Sequence, residues 1–190
     1  FVILRVGITH HSYFYSMAVP RRHRQAMVSG YVKVKYFFMN PVFKKMNYKE
    51  QKIIHIVNSP ESFEKELKEM MAYAAVKKQI KAADKAEFII AFCTKQSEID
   101  KLTPVFAKAL QGDGLLWFAY PKGTSKKYKC DFNRDTGWAV LGKYGFEPVR
   151  QVAIDEDWSA LRFRKVEYIK TMIRSFAMTK EGKEKAAEKK

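Results

Sequence analysis

Cysteine is scarce in this chain, with only Cys93 and Cys130 among 190 residues. Two thiols so far apart make neither a disulfide framework nor a metal-binding pair, so a reducing cytoplasm is the expected setting. No apolar run is long enough to span a bilayer, and no membrane partner is expected. Gly-x-Gly-x-x-Gly, the Gly-x-x-x-x-Gly-Lys-Ser/Thr spacing, His-Glu-x-x-His and Gly-x-Ser-x-Gly are all missing. Their absence removes the common dinucleotide, P-loop, zinc-protease and hydrolase templates, and neither a cofactor nor a metal site is expected.

Acidic residues are missing from the first 38 positions, which carry Arg5, Arg21, Arg22, Arg24, Lys33 and Lys35 and three of the four histidines. The apolar opening Phe1–Leu4 is broken by Arg5 and has no charged region before it, which excludes a clean secretory signal. The composition resembles a transit peptide, but it also suits sequence upstream of a native start at Met39, and the second account is favoured. Residues 1–38 are therefore expected to be a non-native or disordered basic leader. Residues 165–190 hold eight cations and four acids, and the net charge of +16 thus leaves only +6 for residues 39–164. The domain itself is moderately basic. Residues 177–190 read as a lysine-rich disordered tail.

Between the leader and the tail, residues 39–176 read as one α/β domain. Lys52–Val57 is a first strand ending at Asn58-Ser59-Pro60. Ser59 and Pro60 open a helix whose apolar stripe is Phe63, Leu67, Met70 and Met71. His55, with no Cys, Asp or Glu beside it, is expected to be a hydrogen-bonded structural histidine. A short strand falls within 74–80, and Glu87–Thr94 is a buried strand. Residues 95–110 form a helix with Ile99, Leu102, Phe106 and Leu110 on one side, and Pro104 should kink it or mark a later start.

Leu115–Tyr120 is almost wholly apolar and bounded by Gly114 and Pro121, the pattern of a strand buried on both faces. Asp131 or Asn133 is expected to cap a helix over 134–144 that carries Trp138 and Leu141 and ends at Gly145. Phe146–Ile154 and Trp158–Arg164 read as an antiparallel hairpin around the turn Asp155-Glu156-Asp157. Lys165–Ser175 reads as an amphipathic helix, with Phe176 continuing its apolar side. The expected architecture is a helix-covered, predominantly parallel (mixed) sheet, Rossmann-like, with a C-terminal antiparallel hairpin. Strands 87–94 and 114–120 should be interior neighbours joined by a crossover through the 95–110 helix. Trp117 and Trp138 should be buried and Trp158 partly open.

The motifs Leu-Trp-x-x-x-Pro-Lys (Leu116, Trp117, Pro121, Lys122) and Asp-Trp-Ser-Ala-x-Arg (Asp157, Trp158, Ser159, Ala160, Arg162) resemble bacterial proteins grouped as domain-of-unknown-function family 3052. The resemblance extends from about Met39 to about Ser175 and implies a small soluble α/β domain. It implies no activity and no catalytic residue.

Two function classes compete. In the first, a non-catalytic module binds an anionic small molecule, a nucleotide or phosphorylated metabolite, at the loop after the central strand. Lys122, Gly123, Thr124, Ser125 and Lys126 would form the site, Lys127 would add charge, and Arg134 would complete it as the one planar guanidinium nearby. A plain solvated connection gives the same pattern. In the second, the chain is an enzyme of unknown reaction using Arg134, Asp135 and the 155–157 acidic turn. That turn is read as solvated, because metal sites draw ligands from several places. Lysine outnumbers arginine, so only nonspecific nucleic-acid association through the basic tails is expected. The first class is the favoured expectation.

Overall fold

A computed structural model describes residues 39–172 and 177–187. The basic leader over 1–38, Ile173 and Phe176 of the expected last helix, and Lys189 and Lys190 of the tail lie outside the described residues. Helix α1 (Pro41–Lys45) starts at Asn40, whose side chain accepts from the backbone N–H groups of Val42 and Phe43, with Pro41 in the first turn where no donor is missed. Strand β1 (Ile53–Val57) follows, then a 3₁₀ turn (Glu61–Phe63) running into α2 (Glu64–Met70), β2 (Ala75–Lys77), β3 (Ala86–Phe92), α3 (Gln96–Ala109) and β4 (Leu110–Pro121). After a long connection come α4 (Ala139–Lys143), β5 (Phe146–Ala153), β6 (Trp158–Lys165), a second 3₁₀ turn (Val166–Tyr168) and α5 (Lys180–Ala187).

The six strands form one sheet in the order β2-β1-β3-β4-β6-β5. The first four are parallel, while β6 runs antiparallel to both β4 and β5. This is the mixed, predominantly parallel, Rossmann-like sheet that the sequence implied, with β3 and β4 as interior neighbours and β5–β6 as the closing hairpin. Parallel strands need crossovers, and crossovers cover both faces with helices.

Alternation along the strands divides the core. On one face Ile89, Ala91, Leu116, Phe118, Leu161 and Phe163 pack with Ile99 and Phe106 of α3, Leu141 of α4 and Trp138. On the other, Phe88 and Phe92 of β3 meet Phe43, Tyr48 and Phe63. Trp117 is fully enclosed and Trp138 nearly so. His55 is buried in β1, and its Nδ1 donates to the Gln79 carbonyl at 3.0 Å.

Four expectations need correction. Strand β4 begins at Leu110, not near Leu115, because Gly112 at φ +51° carries the chain through a register shift that the glycines permit. The helix expected over 134–144 is only Ala139–Lys143, since Asn133 holds residues 135 and 136 in a side-chain turn and Gly137 sits at φ +93°. Asp131 does cap a helix, but it is α3, where its Oδ1 accepts from Gln96 N at 2.7 Å. Finally, within the described part of 165–176 only a 3₁₀ turn forms, whereas residues 180–187 of the expected disordered tail are helical. The tail is anchored by buried Glu147, whose Oε1 accepts from Met178 N, Thr179 N and Thr179 Oγ1 at 2.6 to 2.8 Å. Lys185 Nζ also donates to the carbonyls of Val166 and Ile169.

Candidate functional site

Open α/β sheets receive ligands beyond the carboxyl ends of their parallel strands, where the strand order reverses. Here that point lies between β1 and β3. The turn leaving β1 is Asn58-Ser59-Pro60, with no glycine, and the space beside it is filled by rings. Phe63 packs on Phe92 at 4.9 Å between ring centroids, Phe92 on Trp158 at 5.1 Å, and Trp158 on Tyr128 at 4.9 Å. Trp158, expected to be partly open, is buried because rings from β3 and the 121–138 connection cover it.

The Pro121–Lys127 loop closes on the acidic turn. Lys122 donates from its backbone N–H to the Asp157 carbonyl (2.7 Å) and from Nζ to the Asp155 carbonyl (2.6 Å). Ser125 Oγ donates to Asp157 Oδ1 at 2.8 Å, and Lys127 Nζ stands 3.7 Å from Asp157 Oδ2. Asp155 Oδ1 in turn accepts from the backbone of Asp157 and Trp158. Gly123 does not use the left-handed conformations that glycine allows. Thr124 and Lys126 are exposed. The network joins Lys122, Ser125 and the 155–157 turn, and Arg134 takes no part in it.

Arg134 belongs to a different place. Its Nε and Nη2 donate to the two carboxylate oxygens of Asp135 at 3.0 and 3.3 Å, and that bond raises the guanidinium pKa. The turn carrying this pair is fixed from below. Trp138 Nε1 donates to the carbonyls of Asn133 and Arg134, both at 2.9 Å, and Gln96 Nε2 donates to the Gly137 carbonyl at 2.7 Å. A side chain at residue 137 would collide with Phe132 and Gln96, so Gly137 is needed for both its dihedral and its space.

The Arg134–Asp135 pair opens onto a cleft of about 690 Å³, walled by Trp138, Leu161 and Met178 and by Pro148–Gln151 of the edge strand, with Lys183 of α5 at its border. The strand wall is irregular there because the β5–β6 register shifts between Pro148 and Arg150. Arg150 itself is drawn away, its Nη1 donating to Asn47 Oδ1 at 3.0 Å. Beneath the pair stands Tyr120, at the carboxyl end of β4. Its hydroxyl is buried with no hydrogen-bond partner, and burial raises its pKa, with opposing influences from Arg134 and Asp135. Residues 122–127 and 155–157 do not line this cleft.

Among the described residues no three His, Cys, Asp or Glu side chains are arranged to hold a metal ion, and no helix is long and apolar enough to cross a membrane. Both cysteines are unbridged. Burial raises both thiols, most strongly Cys93, so neither is an activated thiolate.

No family model matches the chain, and no curated protein does. Solved structures of similar fold include several methyltransferases. A SAM-dependent methyltransferase from Aquifex aeolicus is 14% identical, with 70% of this chain and 97% of the other aligned at a TM-score of 0.46. The N-methyltransferase NodS from Bradyrhizobium japonicum WM9, in complex with S-adenosyl-L-homocysteine, is 12% identical over 70% of this chain and 87% of its own, at 0.43. Magnesium protoporphyrin IX methyltransferase from Synechocystis PCC 6803, with bound SAM, is 12% identical over 80% and 87%, at 0.41.

The expectation of a non-catalytic anion-binding module at this loop is corrected by the loop's own geometry. The backbone N–H and Nζ of Lys122 and the Ser125 hydroxyl are engaged with the acidic turn rather than turned toward a ligand. The enzyme alternative fits better, in reduced form, since its Arg134 and Asp135 share a cleft and its acidic turn serves the loop. Trp138 and Lys183 line the cleft beyond what the sequence suggested. Trp138 is close to Asp135 in sequence, but its apolar spacing signals only core, and Lys183 arrives with the docking of α5, which no local pattern records.

Proposed function

We propose that this chain is an enzyme acting on a small molecule seated in the Arg134–Asp135 cleft. Asp135 moves the proton, and Arg134 and Lys183 supply positive charge to an anionic or polarised substrate group. Trp138 gives its organic part an apolar wall. The observation that carries this reading is the convergence in one concave site of an ion-paired carboxylate, cations from two separate elements and an indole. Arg134 orients Asp135 by bonding both its oxygens.

Two of the similar structures hold S-adenosyl-L-homocysteine or SAM. The residues at the β1/β3 crevice of this chain do not fit a nucleoside cofactor. The first turn lacks glycine, Phe63 and Phe92 occupy the crevice, and Lys77 and Lys78 stand at the end of β2, about where dinucleotide sites place a ribose-binding acid. No step is routed through such a group. We place the protein in a reducing compartment on its two unbridged thiols, and keep membership in domain-of-unknown-function family 3052 as a proposal. On this fold the two motifs behind it are β4 with its loop and the start of β6, which pair from Pro121↔Trp158 to Leu116↔Phe163.

The reading is tested by incubating the protein with a mixture of cellular metabolites and following each by mass spectrometry. Wild type should deplete one component and raise a product, and Asp135→Asn, folded to the same melting temperature, should lower that rate by 100-fold or more. No depletion by wild type, or equal depletion by the variant, would sink it.

A further inference from the structure

A second cleft, of about 600 Å³, opens on the other face of the sheet, toward the amino ends of the parallel strands. Helix α1 and the turn after it contribute Lys44, Tyr48 and Lys49, β4 contributes Asp113 and Leu115, and β6 contributes Arg162 and Arg164. Four cations thus face one carboxylate. That carboxylate belongs to Arg164: Asp113 accepts from its Nε at 2.7 Å and from Nη2, which locks the guanidinium in place and raises its pKa.

Arg162 has no such counter-ion. It lies two residues earlier on the same face of β6, half-buried, and its Nε is enclosed with no acceptor. Burial lowers its pKa, as do the charges of Arg164 and Arg150, against the opposing charge of Asp113. Directly across the β4–β6 ladder is Trp117, whose Nε1 is likewise buried without an acceptor. A folded chain seldom leaves a buried charged donor unmatched, and here two unmatched donors stand side by side next to a cation-lined cleft.

We propose that this cleft binds the phosphate or pyrophosphate group of a small phosphorylated molecule, with Arg162 as its central donor. Lys44 and Lys49 are free to close over the anion from the rim, and Arg164 is held ready by Asp113. The surplus of positive charge suits a multiply charged oxyanion, and the volume exceeds a lone phosphate, leaving room for an attached organic body. The site lies on the opposite face from the Arg134–Asp135 cleft and does not depend on the enzyme reading. It also shares no residue with the Pro121–Lys127 loop.

The test is calorimetric titration of the full chain with pyrophosphate at two salt concentrations, alongside Arg162→Gln and a Lys44→Ala/Lys49→Ala double variant. Both lysines are exposed, so the double variant keeps the fold even where Arg162→Gln does not. Wild type should bind, less tightly at higher salt, with affinity reduced at least tenfold by Arg162→Gln and several-fold by the lysine pair. Absence of binding to wild type, or unchanged affinity in the lysine variant, overturns the proposal. So does binding of a single-stranded RNA that Arg162→Gln weakens and pyrophosphate fails to displace, since that assigns the basic cleft to nucleic acid.

Discussion

Trp138 shows how far one side chain organises this molecule. Its ring lies 5.1 to 6.1 Å from those of Phe163, Phe132, Tyr120 and Phe118, and its Nε1 holds the turn that presents Arg134 and Asp135. Trp138→Ala should cost about 3–5 kcal/mol in chemical denaturation, and an unchanged midpoint would show that the indole does not support the core. Cys93 makes a different prediction. Burial, followed by the Glu98 charge, keeps its thiol protonated in the fold at a pH where the unfolded chain ionises it. Its stabilisation is therefore complete below the ordinary thiol value and declines as pH rises past it. The urea midpoint of wild type should fall more steeply than that of Cys93→Ala between pH 8 and 10.5, and parallel curves would refute this. At this scale the sequence spoke clearly where burial follows from a residue's own strand or stripe, as for Trp117. It misled at Trp158, which is covered by Phe92 and Tyr128 from distant segments.

Elements were legible where periodicity ran long enough. The β3–α3–β4 unit and the closing hairpin follow from apolar runs and helical spacing, and α3 runs from Gln96 to Ala109 straight through Pro104. Short elements held by side-chain bonds were not legible. Helix α4 is cut to five residues by Asn133 and Gly137. Helix α5, which is lysine-rich and has little apolar stripe, is docked through Glu147 and Lys185 rather than by a hydrophobic face. Removing that anchor tests the docking. Glu147→Ala leaves the N–H groups of Met178 and Thr179 without their acceptor, at about 1–3 kcal/mol for each one left buried. Amide exchange across 177–187 should then accelerate by at least tenfold while β3 and β4 stay protected. Unchanged exchange would mean that α5 is held by something else.

For the whole molecule, the two clefts described lie away from the β1/β3 point where such sheets hold ligands. Phe63, Phe92 and Trp158 pack on one another near that point, one cleft opens over the hairpin, and the other opens toward the amino ends of the parallel strands. The sequence placed the candidate site at the end of the most apolar strand because the fold class puts ligands there. It could not show that the loop would bond to the acidic turn thirty residues later. On the proposed function, chemistry occurs at the Arg134–Asp135 cleft and not at that loop. The initial rates of Arg134→Gln and of Lys122→Ala/Lys126→Ala, on the substrate that wild type consumes, decide between the two. Arg134→Gln should lose at least tenfold, and the loop variant should stay within twofold of wild type. A loop variant that loses activity while Arg134→Gln retains it would place the chemistry at the loop instead.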